Sequence, residues 1–547
     1  MARQLLAAVL LLLLQTVRGN GDPPKFASSY EVRGVLSIPY AELREPFHAW
    51  YDAAQARSRI DYYDGMVKTL QLSSEGQYGL SLKLAPMTTD DSLNVPSCFQ
   101  VNGTVEEKIT PQSILPDLTN FENIGTELLN GYNCEKWRYE TQNGEKVNKY
   151  LMYIRRKKGP GGTIAIPVRY EMRGYNSLLG SHYDHYYVDY DAYTNNQPPA
   201  DAFVIHHNLT CTGFPGPGLD HVYSFNPMKE FIDNHEDHVE HSWRKYIKDH
   251  NKSYNEAHHE HHKRKEIFRQ NLRFIYSTNR RNLGYQLSVN HLADKSDLEL
   301  RVLRGRKHST GYNGANPFPY DVEDFKDSLP EQFDWRLYGA VTPVKDQSVC
   351  GSCWSFGTTG AIEGAYFVKT GKLLRLSQQA LIDCSWGYGN NGCDGGEDFR
   401  SYQWMLKHGG LPLESEYGQY LGQDGYCHVD KVQLTAKITG YVNVTSGDED
   451  ALKLAIFKHG PVSVAIDASP KTFSFYSNGV YYEPKCKNKP DELDHAVLAV
   501  GYGKINGESY WLVKNSWSNY WGNDGYILMS AKNNNCGVMT QPTYVTM

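Results

Sequence analysis

Gln347-Ser348-Val349-Cys350-Gly351-Ser352-Cys353-Trp354-Ser355-Phe356 is the stretch on which the fold turns. Apolar and helix-compatible residues follow it, through Ala361, Ile362, Ala365 and Phe367, so Cys353 is expected near a helix start. There, free backbone N–H groups and the positive end of the helix dipole favour a thiolate. A thiolate also needs a cationic neighbour and a proton carrier. His495, in Leu493-Asp494-His495-Ala496-Val497, suits both roles and precedes the β-like run Val497-Leu498-Ala499-Val500-Gly501-Tyr502-Gly503. Asn515, in Trp511-Leu512-Val513-Lys514-Asn515-Ser516-Trp517, is the candidate for the group that holds the imidazole tautomer. Together they read as a Cys–His–Asn relay for nucleophilic catalysis. The competing reading makes Cys353 a buried structural thiol and His495 a core histidine; three blocks in this order disfavour it.

In these blocks the chain resembles the papain family of cysteine proteases, whose nucleophile signature is Cys-Gly-Ser-Cys-Trp. The resemblance implies that Gln347 acts with the backbone N–H of Cys353 on the developing oxyanion. It implies that Trp517 shields the Asn515 amide and that Trp521 is a second indole on the primed side. From Leu329 onward it implies an α+β papain-like domain, a helical half beside a β-barrel-like half, covering 329–547. Seven cysteines lie beyond residue 349, and an odd number leaves one thiol over. The pairs implied by the family are Cys350–Cys393, Cys384–Cys427 and Cys486–Cys536. Eight residues separate Cys384 from Cys393, as in the cathepsin-L-like branch. That leaves no room for the insertion that makes cathepsin B an exopeptidase, so an endopeptidase is expected. Catalysis of this kind calls for no cofactor and no metal.

Substrate contacts are carried over from cathepsin-L-like enzymes. Gly395 and Gly396 are implied to bind substrate backbone. Glu397, Asp398, Ala465, Leu493, Ala496 and Gln541 are implied to line the main pocket, which takes the second residue before the scissile bond. Ala465 and Leu493 favour an apolar side chain. Glu397 and Asp398 stand where apolar residues are usual; either they admit a basic residue or they point to solvent.

Upstream, residues 228–282 read as a polar helical region. Glu260, Arg264, Phe268, Asn271, Ile275 and Asn279 follow spacings of three and four and share one helix stripe. This is the ERFNIN pattern of cathepsin-L-like propeptides. Asn290 and Asp294 flank Leu292 in a second prosegment motif, with Ser288 and Leu292 departing from its usual Gly and Phe. The resemblance implies an inhibitory prosegment over 221–328 that lies across the active cleft, with cleavage near 320–330. His258, His259, His261 and His262 crowd one end of the helical region. A solvated helix face is preferred over a metal site, because no Cys or carboxylate ligand set of zinc-like spacing accompanies them. A pH-sensing role, through charge added beside Lys263, Arg264 and Lys265, stays open.

Residues 20–220 read as an antiparallel β domain. Tyr30-Glu31-Val32-Arg33-Gly34-Val35, Met66–Leu72 and Tyr186–Tyr190 alternate, and turn clusters separate the runs. A Pro/Gly stretch at 213–218 marks the boundary. With the peptidase region, this layout resembles the insect 26/29-kDa proteinase and counting-factor-associated proteins. Ligand binding, partner binding or targeting, and a stabilising role all remain open for this domain. The processed parts are expected to stay together without a covalent link.

Arg3 precedes the apolar run Leu5–Leu14, and small residues suit a cut after Gly19, so 1–19 reads as a signal peptide. The run is too short to span a bilayer, and no other stretch is long and apolar enough. The 10 cysteines fit an oxidising route. Asn102, Asn208, Asn251 and Asn443 are sequons, hence glycosylation candidates. A lysosomal, granule or extracellular destination follows. The formal charge of −6 over 547 residues gives no reason to expect nucleic acid or an anionic membrane as partner. A binding protein with a peptidase-shaped scaffold, or an inhibitor acting through its prosegment, would need none of Gln347, Cys353, His495 and Asn515. Their presence favours the enzyme, with proteins or peptides as substrates and the chain's own prosegment as inhibitor.

Overall fold

The computed structural model describes residues 22–159, 162–178, 180–204, 209–255 and 258–547. The expected signal peptide and the sequon at Asn208 lie outside the described residues. The chain packs as two units. One comprises the N-terminal region to Pro86 and Pro96–Arg281; the other comprises Met87–Val95 and Asn282–Met547.

The first unit is a twelve-stranded sheet. Its strands are β1 (Ser29–Ile38), β2 (Leu43–Asp52), β3 (Arg57–Tyr62), β4 (Val67–Leu72), β5 (Leu80–Met87), β6 (Val95–Asn102), β7 (Glu122–Leu129), β8 (Tyr132–Asn143), β9 (Lys146–Gly159), β10 (Gly162–Asn176), β11 (Ser181–Thr194) and β12 (Cys211–Gly213). The order is β12-β6-β5-β4-β3-β2-β1-β11-β10-β9-β8-β7. Hairpin neighbours are antiparallel, as in β1–β2 and β10–β11, while β12 runs parallel to β6 and is tied to it by the Cys98–Cys211 disulfide. Period-two alternation puts Tyr186, Val188 and Tyr190 of β11 in the core. The abundance of tyrosine has a packing reason. Rings of Tyr30, Tyr62, Tyr150 and Tyr170 fill the core, and two buried hydroxyls find backbone acceptors: Tyr190 donates to Ile114 O at 2.9 Å and Tyr186 to Phe231 O at 3.0 Å.

Two helices, Asp237–Asp249 and His259–Arg280, complete this unit. Phe268 packs 5.3 Å from Trp243 and 4.8 Å from Tyr246 between ring centroids. The longer helix also buries three arginines, Arg269, Arg273 and Arg280, each facing carboxylates of the same unit. Sequence texture divides the chain at 220/221 and 328/329, whereas packing divides it at 281/282. Those ion pairs tie the ERFNIN helix to the sheet's unit, and only the segment from Asn282 on packs with the peptidase region.

In the second unit the helix Cys353–Thr370 lies against the strand His495–Ile505. That strand sits inside a sheet running Tyr285–Leu287, Tyr476–Tyr481, Tyr526–Ser530, Glu508–Lys514, His495–Ile505, Val462–Ile466, Thr543–Thr546, Gly440–Asn443 and Asn316–Pro317, with Phe333–Asp334 also paired to His495–Ile505. The first of these is a prosegment strand, paired antiparallel with Tyr285 opposite Gly479. Cys350–Cys393, Cys384–Cys427 and Cys486–Cys536 are disulfides, and Cys134 and Cys353 are free thiols. Among the described residues, no helix is long and apolar enough to cross a membrane.

Candidate active site

Cys353 is the first residue of its helix, with Ser352 as N-cap. The strand His495–Ile505 begins at the imidazole, and the strand Glu508–Lys514 ends one residue before Asn515. His495 Nε2–H donates to Asn515 Oδ1 at 2.8 Å. The Ser516 backbone N–H donates to the same oxygen at 2.8 Å, which fixes the carbonyl end of the amide toward the ring. This bond puts the imidazole proton on Nε2 and leaves Nδ1 as the basic nitrogen, buried and without a hydrogen bond. Trp517 covers the pair, its ring 4.9 Å from that of His495, and Trp521 packs 5.6 Å beyond it. Both indoles are almost fully buried.

Gln347 is held by Ser516, whose hydroxyl donates to its Oε1 at 2.7 Å, while the Gln347 N–H donates to Ser516 O at 2.8 Å. Its Nε2 is thereby aimed at two carbonyls, Cys350 O at 2.9 Å and Leu303 O at 2.8 Å. Leu303 lies within the expected prosegment, so a peptide carbonyl of that segment sits at the donor expected to serve an oxyanion.

The chain around Leu303 forms a strap over the site. Gly396 N–H donates to Gly305 O at 2.9 Å, Lys307 N–H donates to Gly396 O at 2.9 Å, and the pairing is parallel. Gly305 has to be glycine: a Cβ there would sit 1.8 Å from Gly351 O. Burial under the strap pushes the Cys353 thiol up to about 11 and the His495 imidazole down to about 4. Near neutrality both groups are therefore uncharged in this covered state.

A cavity of about 370 Å³ beside Gly396 is lined by Glu397, Asp398, Ala465, Ala496 and Gln541. Leu493 contributes its backbone carbonyl to the same place, accepting from Arg306 Nη1 at 2.8 Å. Glu397 is buried, not turned to solvent; it pairs with Arg400 at 3.0 Å and accepts from the Ser309 N–H at 3.0 Å. Gly395 adopts φ +113° against the strap carbonyl of Gly305.

The six ERFNIN positions belong to the first unit, where Arg264 donates to Glu260 at 2.6 Å and Phe268, Asn271 and Ile275 are buried. The second prosegment motif belongs to the peptidase unit: Ser288 N–H donates to Phe475 O and Asn290 Nδ2 to Ser474 O, both at 2.8 Å. His258 and His259 are exposed, His262 is half-buried, and His261 is buried beside Trp243. Among the described residues, no group of three or more His, Cys, Asp or Glu is placed to hold a metal ion. Asn102 and Asn251 are exposed, whereas the Asn443 amide exchanges two 3.0 Å hydrogen bonds with Asn313. Sequence reading missed the strap residues Leu303, Gly305 and Arg306. The available signal was a glycine between two arginines, Arg304-Gly305-Arg306, shortly after the second motif.

Comparison with known proteins finds similarity over residues 243–300 and 329–546. Residues 329–546 match the profile described as papain family cysteine protease, and 243–300 match that of the cathepsin propeptide inhibitor domain (I29). Digestive cysteine proteinase 1 of Homarus americanus is 45% identical over 290 residues, 51% of this chain and 87% of that relative. A cathepsin L-like peptidase of Aedes aegypti is 45% identical over 319 residues, 56% of this chain and 93% of that relative. Among solved structures, digestive procathepsin L 3 of Tenebrio molitor larval midgut aligns with a TM-score of 0.51 at 37% identity, covering 56% of this chain and 99% of that one.

Proposed function

Because the chain belongs to the papain family of cysteine proteases and carries a cathepsin propeptide inhibitor domain, we propose that it is a secretory-pathway endopeptidase made as a zymogen and working through Cys353, His495, Asn515 and Gln347. The Cys353 thiol gives its proton to His495 Nδ1 and attacks the scissile carbonyl carbon. The C=O electron pair moves onto oxygen, which Gln347 Nε2 and the Cys353 backbone N–H receive. The imidazolium then protonates the departing amine as the C–N bond breaks, leaving a thioester on Cys353. Water, deprotonated by His495, attacks the thioester; the C–S bond breaks, the acid leaves, and the thiolate and imidazolium are restored. Asn515 holds the ring with Nδ1 toward the sulfur throughout.

The observation that carries this reading is the 2.8 Å bond from Gln347 Nε2 to the Leu303 carbonyl: the chain's own peptide group is held by the donor assigned to substrate. The strap over the site supports latency, and the segment 320–330, none of it buried, is where the freeing cut is expected. Lysosome, secretory granule and extracellular fluid all suit such an enzyme, and the β-rich part is expected to persist as a non-covalent subunit.

The test holds the full precursor at about pH 5 with a mild thiol reductant, beside a Cys353→Ala control, and follows chain size and hydrolysis of a Leu-Arg fluorogenic peptide. Activity that rises with loss of the strap, in the Cys353 form only, is expected. Inert protein after the strap has been removed would sink the reading.

A further inference from the structure

The strap does more than cover the site; it puts an arginine into the side-chain pocket. Arg306 is the residue paired with Gly396, and its side chain lines the cavity of about 370 Å³ beside that glycine. Nη1 donates to Leu493 O at 2.8 Å and to Pro490 O at 3.0 Å, and Nη2 donates to Gln541 Oε1. All three acceptors belong to the peptidase domain and remain when the strap leaves.

The charges around it are also fixed. Burial opposes the charged guanidinium, and the carboxylates of Asp398 and then Glu397 favour it. Their situations differ. Glu397 is already paired with Arg400 at 3.0 Å. Asp398 is held by neutral donors, the Thr543 hydroxyl at 2.6 Å and the Phe399 N–H at 2.7 Å, so its charge is available to the pocket.

Resting on the endopeptidase reading above, we propose that this pocket selects a basic side chain, arginine before lysine, at the second residue before the scissile bond. Asp398, Gln541 and the Leu493 and Pro490 carbonyls are the groups that recognise it. The planar guanidinium presents donors to several acceptors at once, which a lysine ammonium on its flexible stem does less well. A leucine in the same place leaves two carbonyls and an amide oxygen without these donors and the Asp398 charge without a cation. A site built around hydrogen bonds discriminates strongly against a side chain that lacks them. Ala465 and Ala496 then serve the aliphatic stem of the arginine, and the apolar preference expected from Ala465 and Leu493 applies to the stem.

The experiment uses enzyme matured from the full precursor and three fluorogenic peptides that differ only at the selected position: Arg-Arg, Lys-Arg and Leu-Arg. Wild-type kcat/KM is expected to favour Arg-Arg over Leu-Arg by at least about tenfold, with Lys-Arg between them. Asp398→Asn and Gln541→Leu are each expected to cut the Arg-Arg to Leu-Arg ratio several-fold. Turnover of Leu-Arg equal to or better than Arg-Arg overturns the pocket proposal and leaves the peptidase reading standing. A high ratio that neither substitution lowers overturns the assignment of these residues. If the matured protein cleaves none of the three, the peptidase reading fails and this one falls with it.

Discussion

Arg273 and Asp184 are joined by two hydrogen bonds, 2.7 Å from Nη1 and 2.9 Å from Nη2, with both side chains buried. Arg273 lies on the ERFNIN helix and Asp184 on β11. The same guanidinium donates from Nε to Glu230 at 2.7 Å. One turn earlier, Arg269 reaches Glu236 at 2.9 Å; two turns later, Arg280 pairs with Glu45 of β2. The helix half of the inhibitory segment is thus a structural part of the β-rich unit.

Removing one partner of such a network strands the others. Arg273→Met leaves Asp184 and Glu230 buried with one cation fewer, which costs about 3–5 kcal/mol. The midpoint of chemical denaturation of the precursor's first transition is expected to fall accordingly. An unchanged midpoint would show that these ion pairs do not hold the helix.

The network also has a defined response to acid. Burial alone would raise the Glu230 carboxyl, but the Arg273 guanidinium and His238 outweigh it and hold it at about 2, below its ordinary 4.5. Asp184 and Glu236 are likewise held low by the arginines facing them. A carboxylate whose folded pKa is depressed contributes stability that is complete above the ordinary value and lost only as pH falls toward the folded one. At about pH 4.5 the contribution of Glu230 is therefore largely intact. Hydrogen exchange on the Cys353→Ala precursor is expected to show helix 268–280 as protected at that pH as at pH 7. Loss of protection there would mean that acid activation begins by releasing the helix.

The candidate catalytic groups were legible because each sits in a short block whose chemistry is local: a thiol at a helix start, a histidine at a strand start, an amide two residues before an indole. The seating of Arg306 and Gly305 was not legible, because both are defined by partners 46 to 235 positions away, Gly351 and Gln541. The arginine–carboxylate network left one readable mark. Asp184 is in phase with Tyr186, Val188 and Tyr190 on the inward side of β11, and a charge at a core-facing position calls for a buried partner. Which partner it takes depends on how the helix folds back, and that is a matter of tertiary packing.

Gly305 packs directly against the backbone of Gly351. Gly305→Ala would bring a Cβ against Gly351 O, a backbone atom that cannot swing aside. The strap has to lift, and the hydrogen bonds of Leu303, Gly305 and Lys307 weaken with it. The uncleaved Gly305→Ala precursor, carried in a form whose 320–330 segment is not cut, is expected to hydrolyse peptide at least about tenfold faster than the same form with Gly305, which corresponds to about 1.4 kcal/mol of lost inhibition. Equal residual rates would mean that the strap tolerates the displacement and that this close contact does not set latency.

The paired shifts at Cys353 and His495 lead to a chemical test of the covered state. With the thiol pushed up to about 11 and the imidazole down to about 4, the precursor holds a neutral pair at pH 7 and presents almost no thiolate. A thiol of ordinary pKa near 8.5 carries a few per cent thiolate at that pH, roughly a hundredfold more. Alkylation of Cys353 by iodoacetamide, followed on its own peptide by mass spectrometry, should therefore be slow in the precursor and climb with pH through the alkaline range. Following the peptide separates it from Cys134, the other free thiol, which is also buried. Once the strap is cut away, the burial that raises the thiol is relieved, and the helix N-terminus and a protonated His495 can hold a thiolate. The rate at pH 7 is then expected to rise by at least about a hundredfold, with the pH dependence moved into the acid range. A precursor that alkylates at the mature rate at pH 7 would show that the strap blocks substrate without switching off the nucleophile.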